Sequence, residues 1–283
     1  MTLQPLTLST GALMPAIGLG TWFIDDDRAA DAVRAAVDAG YRAIDTAQAY
    51  GNERGVGEGV RTASVPREEL FVSTKLAAEI KTYEGAVASI DGSLERLGLD
   101  YVDLMLIHSP QPWSDFRGGD YSDGNREAWR ALEDAFEAGK LRAIGVSNFL
   151  VPDLDAIAEG ARVTPHVNQL LVHAGNTPVD LLDECARRGI VVQAYSPFGH
   201  GEVLSSPELA EVAASYDVSP ARLCLRYAIQ LGTQPLPKTE NPEHMRANLD
   251  LDFEISDADM DRLKALDLKD YGAASIFPVY SGK

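Results

Sequence analysis

The chain has 283 residues, of which 45% are hydrophobic and 24% charged, and its formal net charge is −18. This size suits one α/β barrel, so we expect a single domain over residues 1–283. The strong negative charge argues against nucleic acid or an anionic membrane surface as a partner. Two cysteines give no disulfide framework, and no apolar run approaches the ~20 residues of a membrane-spanning helix. With no secretory signal evident at the N-terminus, we expect a soluble cytoplasmic protein, monomeric because no apolar surface stripe is visible.

The first predicted element is a β-hairpin, because Leu6–Leu8 and Leu13–Pro15 flank the turn residues Thr10 and Gly11. Short apolar runs then alternate with helical patterns, which is typical of a parallel sheet covered on both faces. The predicted strands are Ala16–Leu19, Ala43–Asp45, Phe71–Thr74, Val102–Ile107, Ala143–Ser147, His166–Leu170, Ile190–Ala194 and Pro235–Pro237.

Helical stripes of apolar residues fill the intervals between these strands and end at glycines. Val33 and Val37 share a face before Gly40, and a longer stripe over residues 87–97 ends at Gly98. About eight such strand and helix units follow one another. The repetition indicates a parallel α/β fold.

A closed barrel is favoured over an open dinucleotide-binding sheet. The residues around the first strand, Gly18-Leu19-Gly20-Thr21-Trp22, lack the third glycine of a Gly-x-Gly-x-x-Gly turn. We therefore predict a (β/α)8 TIM barrel with an N-terminal β-hairpin. Two long loops, Ser109–Asn125 and Asp270–Lys283, are expected to be either functional or disordered.

Polar side chains stand at the ends of three consecutive predicted strands. Asp45 ends the second strand, Lys75 follows the third and His108 follows the fourth, at separations of 30 and 33 residues. Each separation is about one strand and helix unit, so all three side chains should face one mouth of the barrel, with Tyr50 nearby. Each residue alone has an ordinary structural explanation. The four together in register favour a catalytic site.

These four groups are suited to proton transfer at a carbonyl. A free tyrosine has a pKa near 10 and is a poor proton donor at neutral pH, but an adjacent ammonium should lower that pKa. Lys75 can supply the ammonium, and Asp45 can keep it charged and oriented. His108 can place the carbonyl oxygen beside the Tyr50 hydroxyl. Since side chains do not deliver hydride, the chemistry requires a cofactor.

The chain resembles the aldo-keto reductases at seven separated motifs in the same order. The first is AIDTAQAYGNE at residues 43–53. The others are TK (74–75), IH (107–108), GVSNF (145–149), NQ (168–169), AYSP (194–197) and PKT (237–239), following the N-terminal hairpin. The compact length and the segment Gln111–Phe116 look most similar to bacterial reductases related to 2,5-diketogluconate reductase.

The resemblance implies a catalytic tetrad of Asp45, Tyr50, Lys75 and His108 and an NADPH cofactor that reduces an aldehyde or ketone. It implies that Ser147, Asn148 and Gln169 hold the nicotinamide carboxamide and that Tyr195 stacks on the ring. The cofactor-binding set that it implies is Gly20, Thr21, Trp22, Asp45, Ser147, Asn148, Gln169, Tyr195, Ser196, Pro197, Phe198, Lys238, Thr239, His244 and Asn248. The substrate contacts that it implies are Trp22, Tyr50, His108 and Trp113.

Two departures from the family pattern carry expectations of their own. His244 stands where NADP-preferring members have an arginine, and Arg246 would point about 200° away from it on a helix. We expect a weaker preference for NADPH than is usual, with NADH accepted. Ala77 and Ser109 replace tryptophans of many relatives, which predicts a roomier or more polar pocket that Phe277 and Tyr280 of the tail could line.

Three other readings remain open at this point. A Schiff-base aldolase would use Lys75 and would not need Tyr50. A metal hydrolase would draw on His108, His166 and Asp45, although no His-x-His pair supports a metal site, and we expect none. A regulatory subunit that binds the cofactor without turnover would retain all the same residues.

Overall fold

The computed structural model describes residues 3–281 and contains two short antiparallel strands followed by eight parallel strands. The hairpin strands are β1 (Leu6–Thr7) and β2 (Leu13–Met14). The parallel strands are β3 (Leu19–Gly20), β4 (Ala43–Asp45), β5 (Phe71–Leu76), β6 (Leu104–Ile107), β7 (Ile144–Ser147), β8 (Val167–Leu171), β9 (Val191–Tyr195) and β10 (Thr233–Leu236).

Helices connect the parallel strands and lie outside them. They are α1 (Asp26–Ala39), α2 (Glu53–Arg61), α3 (Tyr83–Leu97), α4 (Ser122–Glu137), α5 (Val151–Ala158), α6 (Val179–Arg187), α7 (Pro207–Ser215), α8 (Pro220–Gln230), α9 (Pro242–Leu249) and α10 (Asp257–Lys264). As predicted, Gly40 and Gly98 follow the last residues of α1 and α3.

The eight strands pair in sequence order from β3 to β10, and hydrogen bonds between the first and last close the barrel. The Gly18 amide donates to the Pro235 carbonyl at 3.1 Å, and the Gly20 amide donates to the Pro237 carbonyl at 3.0 Å. A side chain at Gly20 would lie 3.0 Å from the carbonyl oxygen of Leu236. Glycine therefore lets the two edges approach. The predicted (β/α)8 barrel with an N-terminal hairpin is confirmed.

Some strand bounds differ from those predicted. The ladder between β3 and β4 begins only at Leu19, opposite Ile44, so most of the predicted first strand precedes it. The fourth predicted strand begins at Leu104, because Val102 forms an isolated bridge to Leu141 instead. The last strand begins two residues before the predicted Pro235.

The hydrophobic core has an outer layer between barrel and helices and a smaller cluster inside the barrel. The inner cluster joins Leu8 and Met14 of the hairpin region to residues near the beginnings of the strands, including Phe71 and Val167. The hairpin thus packs against the N-terminal end of the barrel. The opposite end, where the strands finish, is left for loops.

Helix α2 follows directly after Tyr50 and packs closely between α1 and α3. Three of its residues are the buried glycines Gly55, Gly57 and Gly59. A methyl group on Gly57 would overlap the carbonyl oxygen of Leu97 at the end of α3. The three glycines permit α2 to pack this closely against α1 and α3, and the close packing holds in place the segment that carries Tyr50.

We expect Gly57→Ala to lower the free energy of unfolding by about 1–3 kcal/mol, because overlap with the Leu97 backbone outweighs the helix propensity gained with alanine. Urea denaturation measures the change. Glu58→Ala, at an exposed position of the same helix, is the control and should stay within about 0.5 kcal/mol of the parent. A Gly57→Ala protein as stable as the parent would contradict this packing argument.

Candidate active site

One cleft at the C-terminal ends of the strands collects most of the residues singled out from the sequence. Its volume is about 680 Å³. The predicted site residues that line it are Gly20, Thr21, Trp22, Asp45, Tyr50, His108, Trp113, Ser147, Asn148, Gln169, Tyr195, Ser196, Pro197, Phe198 and Lys238. Lys75 lies directly beneath this lining, with no solvent exposure. Thr239, His244 and Asn248 lie outside the lining.

The centre of the cleft is a hydrogen-bonded cluster around Lys75. Its Nζ donates to the Asp45 carboxylate at 2.6 Å, to the Thr46 carbonyl at 2.8 Å and to the Tyr50 hydroxyl oxygen at 3.2 Å. Three acceptors match the three hydrogens of an ammonium. The cluster thus joins a buried cation to the phenol that faces the cleft.

The expectation of a lowered pKa for Tyr50 is wrong. Burial of the phenol raises its pKa well above 10, and the nearby Asp45 carboxylate adds to that shift. Burial also lowers the pKa of Lys75, although Asp45 opposes the change. Tyr50 therefore carries its proton at neutral pH, as a proton donor must.

His108 is buried at the cleft wall, and its Nδ1 has no hydrogen-bond partner within the described chain. Burial, with a contribution from the Lys75 charge, holds the pKa of His108 well below 6.5. The imidazole is therefore neutral at physiological pH. A neutral ring can donate one hydrogen bond to an oxygen in the cleft without adding a second positive charge beside Lys75.

The short 3₁₀ turn Gln48–Tyr50 holds the phenol in place. The Gln48 side chain accepts from the Ala77 amide at 3.0 Å and donates to the Ser93 hydroxyl at 2.8 Å. The turn is thereby attached to both β5 and α3. Gln48 is not among the site residues predicted from the sequence, because only folding brings these segments together.

A second polar group lies along the ends of β7, β8 and β9. Tyr195 donates its hydroxyl to the Asn148 side chain at 2.8 Å, and Asn148 in turn donates to Ser147 Oγ at 3.1 Å. Asn148 and Ser196 have positive φ angles of 62° and 48°. Left-handed backbone at non-glycine residues is costly and concentrates at functional sites. These residues therefore present a fixed set of polar atoms to the cleft.

Aromatic side chains form the outer wall, and several of them come from the C-terminal tail. Trp113 packs edge-on against His108 at 5.0 Å between ring centroids. Trp22 packs against Phe277 at 5.1 Å and against His200 at 5.5 Å. Phe277 and Tyr280 line the cleft, which is one of the two roles open to them, and so do Phe23 and His200, which no motif in the sequence indicates.

The pocket is not made polar by Ser109. That residue is fully buried, and its carbonyl oxygen accepts from the Lys81 ammonium at 2.9 Å. Neither Ser109 nor Ala77 lines the cleft. Ser109 therefore does not supply the polar character expected of the pocket, because its carbonyl group binds Lys81 in the loop behind the cleft wall.

An ion cluster lies at the far end of the cleft, beside Lys238. Glu240 contacts the Lys238 ammonium at 3.3 Å and the Arg28 guanidinium at 2.8 Å. His244 is exposed on α9 nearby in sequence, and Asn248 is buried on the same helix. Neither Glu240 nor Arg28 was singled out from the sequence, since each is an ordinary surface charge until the fold joins them.

Two of the alternative readings conflict with this geometry. A Schiff-base lysine must present a free amine to the substrate. All three hydrogens of Lys75 are instead directed at protein acceptors. A shared metal would need His108 and His166 together, but His108 follows the end of β6 and His166 precedes the start of β8, at opposite ends of the barrel.

Comparison with known proteins decides the family. The profile of the Aldo/keto reductase family matches residues 16–268. The chain belongs to the aldo-keto reductase family. The predicted family is confirmed, and with it an NAD(P)-dependent oxidoreductase that reduces carbonyl groups.

Individual relatives of this aldo-keto reductase match along nearly their whole length. Glyoxal reductase of Bacillus subtilis (strain 168) is 41% identical over 261 residues, which cover 92% of this chain and 91% of the relative. Morphine 6-dehydrogenase of Pseudomonas putida is 39% identical over 277 residues, covering 93% and 90%. A crystal structure of Bombyx mori aldo-keto reductase in complex with NADP superposes with a TM-score of 0.86 at 33% identity, covering 99% of each chain. None of these comparisons supports the aldolase or the regulatory subunit.

Within residues 3–281, no helix of this aldo-keto reductase is both long and apolar enough to cross a membrane. In the same range, no three or more histidine, cysteine and acidic side chains are grouped so as to hold a metal ion.

We expect the kcat/KM for carbonyl reduction to show no ionisation near pH 6.5. The active neutral form of His108 is protonated only well below that pH, so activity is retained as the pH falls through 6.5. A profile from pH 5.5 to 8 with an aldehyde that the enzyme reduces tests this. His108→Gln, which cannot titrate, should give a lower but equally flat profile. A wild-type acid limb centred near 6.5 that His108→Gln removes would contradict the assignment.

Proposed function

We propose that this enzyme reduces small aldehydes and ketones with Tyr50 as the general acid, assisted by Asp45, Lys75 and His108. The observation that carries the proposal is the Lys75 ammonium, hydrogen-bonded to the Asp45 carboxylate at 2.6 Å and to the Tyr50 hydroxyl at 3.2 Å. A proton can leave a phenol easily only where the phenolate is stabilised, and that ammonium is in place to do so.

The donor set in the cleft fits a nicotinamide cofactor. Ser147, Asn148 and Gln169 offer a hydroxyl and two amides suited to a carboxamide, and the flat ring of Tyr195 suits stacking against an aromatic ring. When bound, the reduced nicotinamide supplies a hydride to the carbonyl carbon. The backbone of residues 196–201, with glycines at 199 and 201, suits an approach to the pyrophosphate.

The side chains of this chain then manage the proton. His108, as the neutral imidazole, donates a hydrogen bond to the substrate oxygen and holds it beside Tyr50. As negative charge develops on that oxygen, the Tyr50 hydroxyl donates its proton, and the phenolate that remains is stabilised by the Lys75 ammonium. Asp45 keeps Lys75 charged and directed at Tyr50 throughout. The aromatic wall of Trp22 and Trp113 excludes water, which strengthens each of these interactions.

We expect Tyr50→Phe to reduce kcat by about 10²–10⁴-fold while the Kd for NADPH changes less than about threefold, because the hydroxyl serves proton transfer and not cofactor binding. Fluorescence titration and steady-state turnover measure the two quantities. Tyr101→Phe, at a tyrosine outside the cleft lining whose hydroxyl has no hydrogen-bond partner in the described chain, is the matched control and should retain both. A Tyr50→Phe enzyme with near-parental kcat would remove the proposed acid.

We also propose that the substrates are small dicarbonyl compounds and that the chain groups with the bacterial 2,5-diketogluconate reductase-like members of the family. The aromatic rings of the tail, Phe277 and Tyr280, line the same cleft as Tyr50, and large side chains in the wall favour compact substrates. The relative that is 41% identical is a glyoxal reductase, and glyoxal is a small dicarbonyl compound. Turnover on glyoxal, on a keto-sugar acid and on an aromatic aldehyde compares the candidate classes.

For the cofactor we propose NADPH, with NADH accepted at a modest disadvantage. Lys238 and Thr239 are retained at the adenosine end, but His244 lacks the permanent charge of arginine. Glu240 adds a carboxylate between Lys238 and Arg28. This carboxylate repels the 2′-phosphate of NADPH and can accept a hydrogen bond from the 2′-hydroxyl of NADH. We expect the kcat/KM ratio of NADPH to NADH to lie well below a thousand.

We expect Glu240→Gln to raise that ratio by about three- to tenfold, because it releases Lys238 and Arg28 to a phosphate. Steady-state kinetics with both cofactors measures it, and the increase should shrink at high salt. Glu243→Gln, at an exposed glutamate three residues on, serves as the control for a general charge effect. Equal ratios for the parent and Glu240→Gln would refute the role of Glu240.

We further propose that the enzyme is a monomeric, single-domain cytoplasmic protein without nucleic-acid or membrane partners. All of the side chains that the mechanism uses come from one chain, so no second copy is needed to complete the site. Both cysteines are free and buried, which suits a reducing compartment. The net charge of −18 disfavours polyanionic partners. Light scattering of the purified protein tests the oligomeric state.

A further inference from the structure

Three buried glutamines stand side by side inside the barrel, one on each of its last three strands. Gln169 on β8 is the register partner of Gln193 on β9, and Gln193 is the partner of Gln234 on β10. Their exposed fractions are 2%, 1% and 0%. Three uncharged polar side chains at one level of a barrel interior must satisfy one another or leave costly unpaired groups.

The three amides form a continuous hydrogen-bonded ladder. Gln234 Nε2 donates to the Pro15 carbonyl at 2.6 Å, and Gln193 Nε2 donates to Gln234 Oε1 at 2.7 Å. Gln169 Nε2 donates to Gln193 Oε1 and to Asp45 Oδ1, each at 2.9 Å. The ladder therefore runs from the residue after the hairpin to the catalytic carboxylate.

The direction of this ladder is fixed at both ends by groups that can only accept. A proline carbonyl cannot donate, so Gln234 must direct its NH2 group to Pro15 and its oxygen to Gln193. Gln193 must then direct its NH2 group to Gln234 and its oxygen to Gln169. At the other end, the Asp45 carboxylate accepts from the same Gln169 nitrogen. Reversing any one amide would place two oxygens or two NH2 groups against each other.

Both hydrogens of the Gln169 amide are consequently used inside the protein. Gln169 lines the cleft, so the group it can offer to a bound molecule is its carbonyl oxygen. Asp45 occupies one hydrogen and Gln193 the other. Without Gln193, only the bond to Asp45 would hold the Gln169 amide. The amide could then rotate to direct its second hydrogen toward the cleft, where Gln169 would act as a donor.

We propose that Gln193 and Gln234 are positioning residues that make Gln169 an obligate acceptor toward the cofactor carboxamide. The proposal rests on the proposed role of Gln169 in binding that group. It predicts that Gln169 accepts a hydrogen bond from the NH2 group of the carboxamide, so that the protein recognises this group as well as the carboxamide oxygen. Neither Gln193 nor Gln234 is among the residues that line the cleft.

A cofactor analogue tests the proposal. In reduced 3-acetylpyridine adenine dinucleotide phosphate, a methyl group replaces the carboxamide NH2 group. Fluorescence titration should show the parent protein binding NADPH at least tenfold more tightly than this analogue. In Gln193→Met, a substitution of similar length, that ratio of Kd values should fall at least threefold, because Gln169 is free to donate to the acetyl oxygen.

Gln234→Met is the second variant, and it should lower the ratio in the same direction because Gln193 loses the acceptor that orients it. Gln230→Met is the matched control: Gln230 on α8 pairs with the Ile255 backbone outside the barrel interior. It should lower the melting temperature without changing the ratio. A structural effect alone would lower the melting temperature of all three variants and leave every ratio unchanged.

The proposal is overturned if the parent does not discriminate between the two cofactors, or if Gln193→Met and Gln234→Met keep the parental ratio. Should Gln193→Met fail to fold, Gln234→Met decides by the same criterion. Turnover of the parent with NADPH is measured alongside. Absent turnover with the expected ratios would refute the proposed reductase chemistry and leave the ladder standing, whereas normal turnover with unchanged ratios would refute the ladder alone.

Discussion

An ammonium group with no access to solvent lies at the centre of this enzyme. Moving a lysine charge out of water costs several kcal/mol, which only a close counter-charge and full hydrogen bonding can offset. Asp45 supplies the charge at 2.6 Å, and the Thr46 carbonyl and Tyr50 hydroxyl take the remaining hydrogens. Tyr50 is thus both a partner that the buried lysine needs and the acid that the reaction needs. Stability and proton transfer depend on the same contacts.

Asp45 in turn depends on the barrel around it. Its other oxygen accepts from the Ser73 hydroxyl at 3.1 Å and from Gln169 at 2.9 Å, so the carboxylate bridges β5 and β8 across the interior. Through Gln169 the same network reaches the last strands and the residue after the hairpin. The chemistry at one end of the barrel is therefore connected by polar contacts to the segment that closes the other end. The apolar layers above and below keep water from competing with these bonds.

The sequence predicts the parts of this site that depend on local order. Asp45, Lys75 and His108 each lie at or beside the end of a strand in a regularly repeating unit, so their spacing alone predicts that they lie together. The Glu240 cluster and the Gln193 ladder depend on pairings between segments that are far apart in the sequence, so they have no local signal. Asp45 and Gln169, for example, are separated by 124 positions. The direction of the Tyr50 pKa shift was also missed. Spacing shows that Lys75 is near, but not that burial outweighs it.

The protonation of this cluster in the native enzyme is the most direct test of the account. Neutron diffraction from crystals exchanged into heavy water at neutral pH locates each deuteron. We predict three deuterons on Lys75 Nζ, one on the Tyr50 oxygen and none on Asp45. A neutral Lys75 amine beside a protonated Asp45, or a Tyr50 oxygen without a deuteron, would contradict the claim that a buried ion pair prepares this tyrosine to donate its proton.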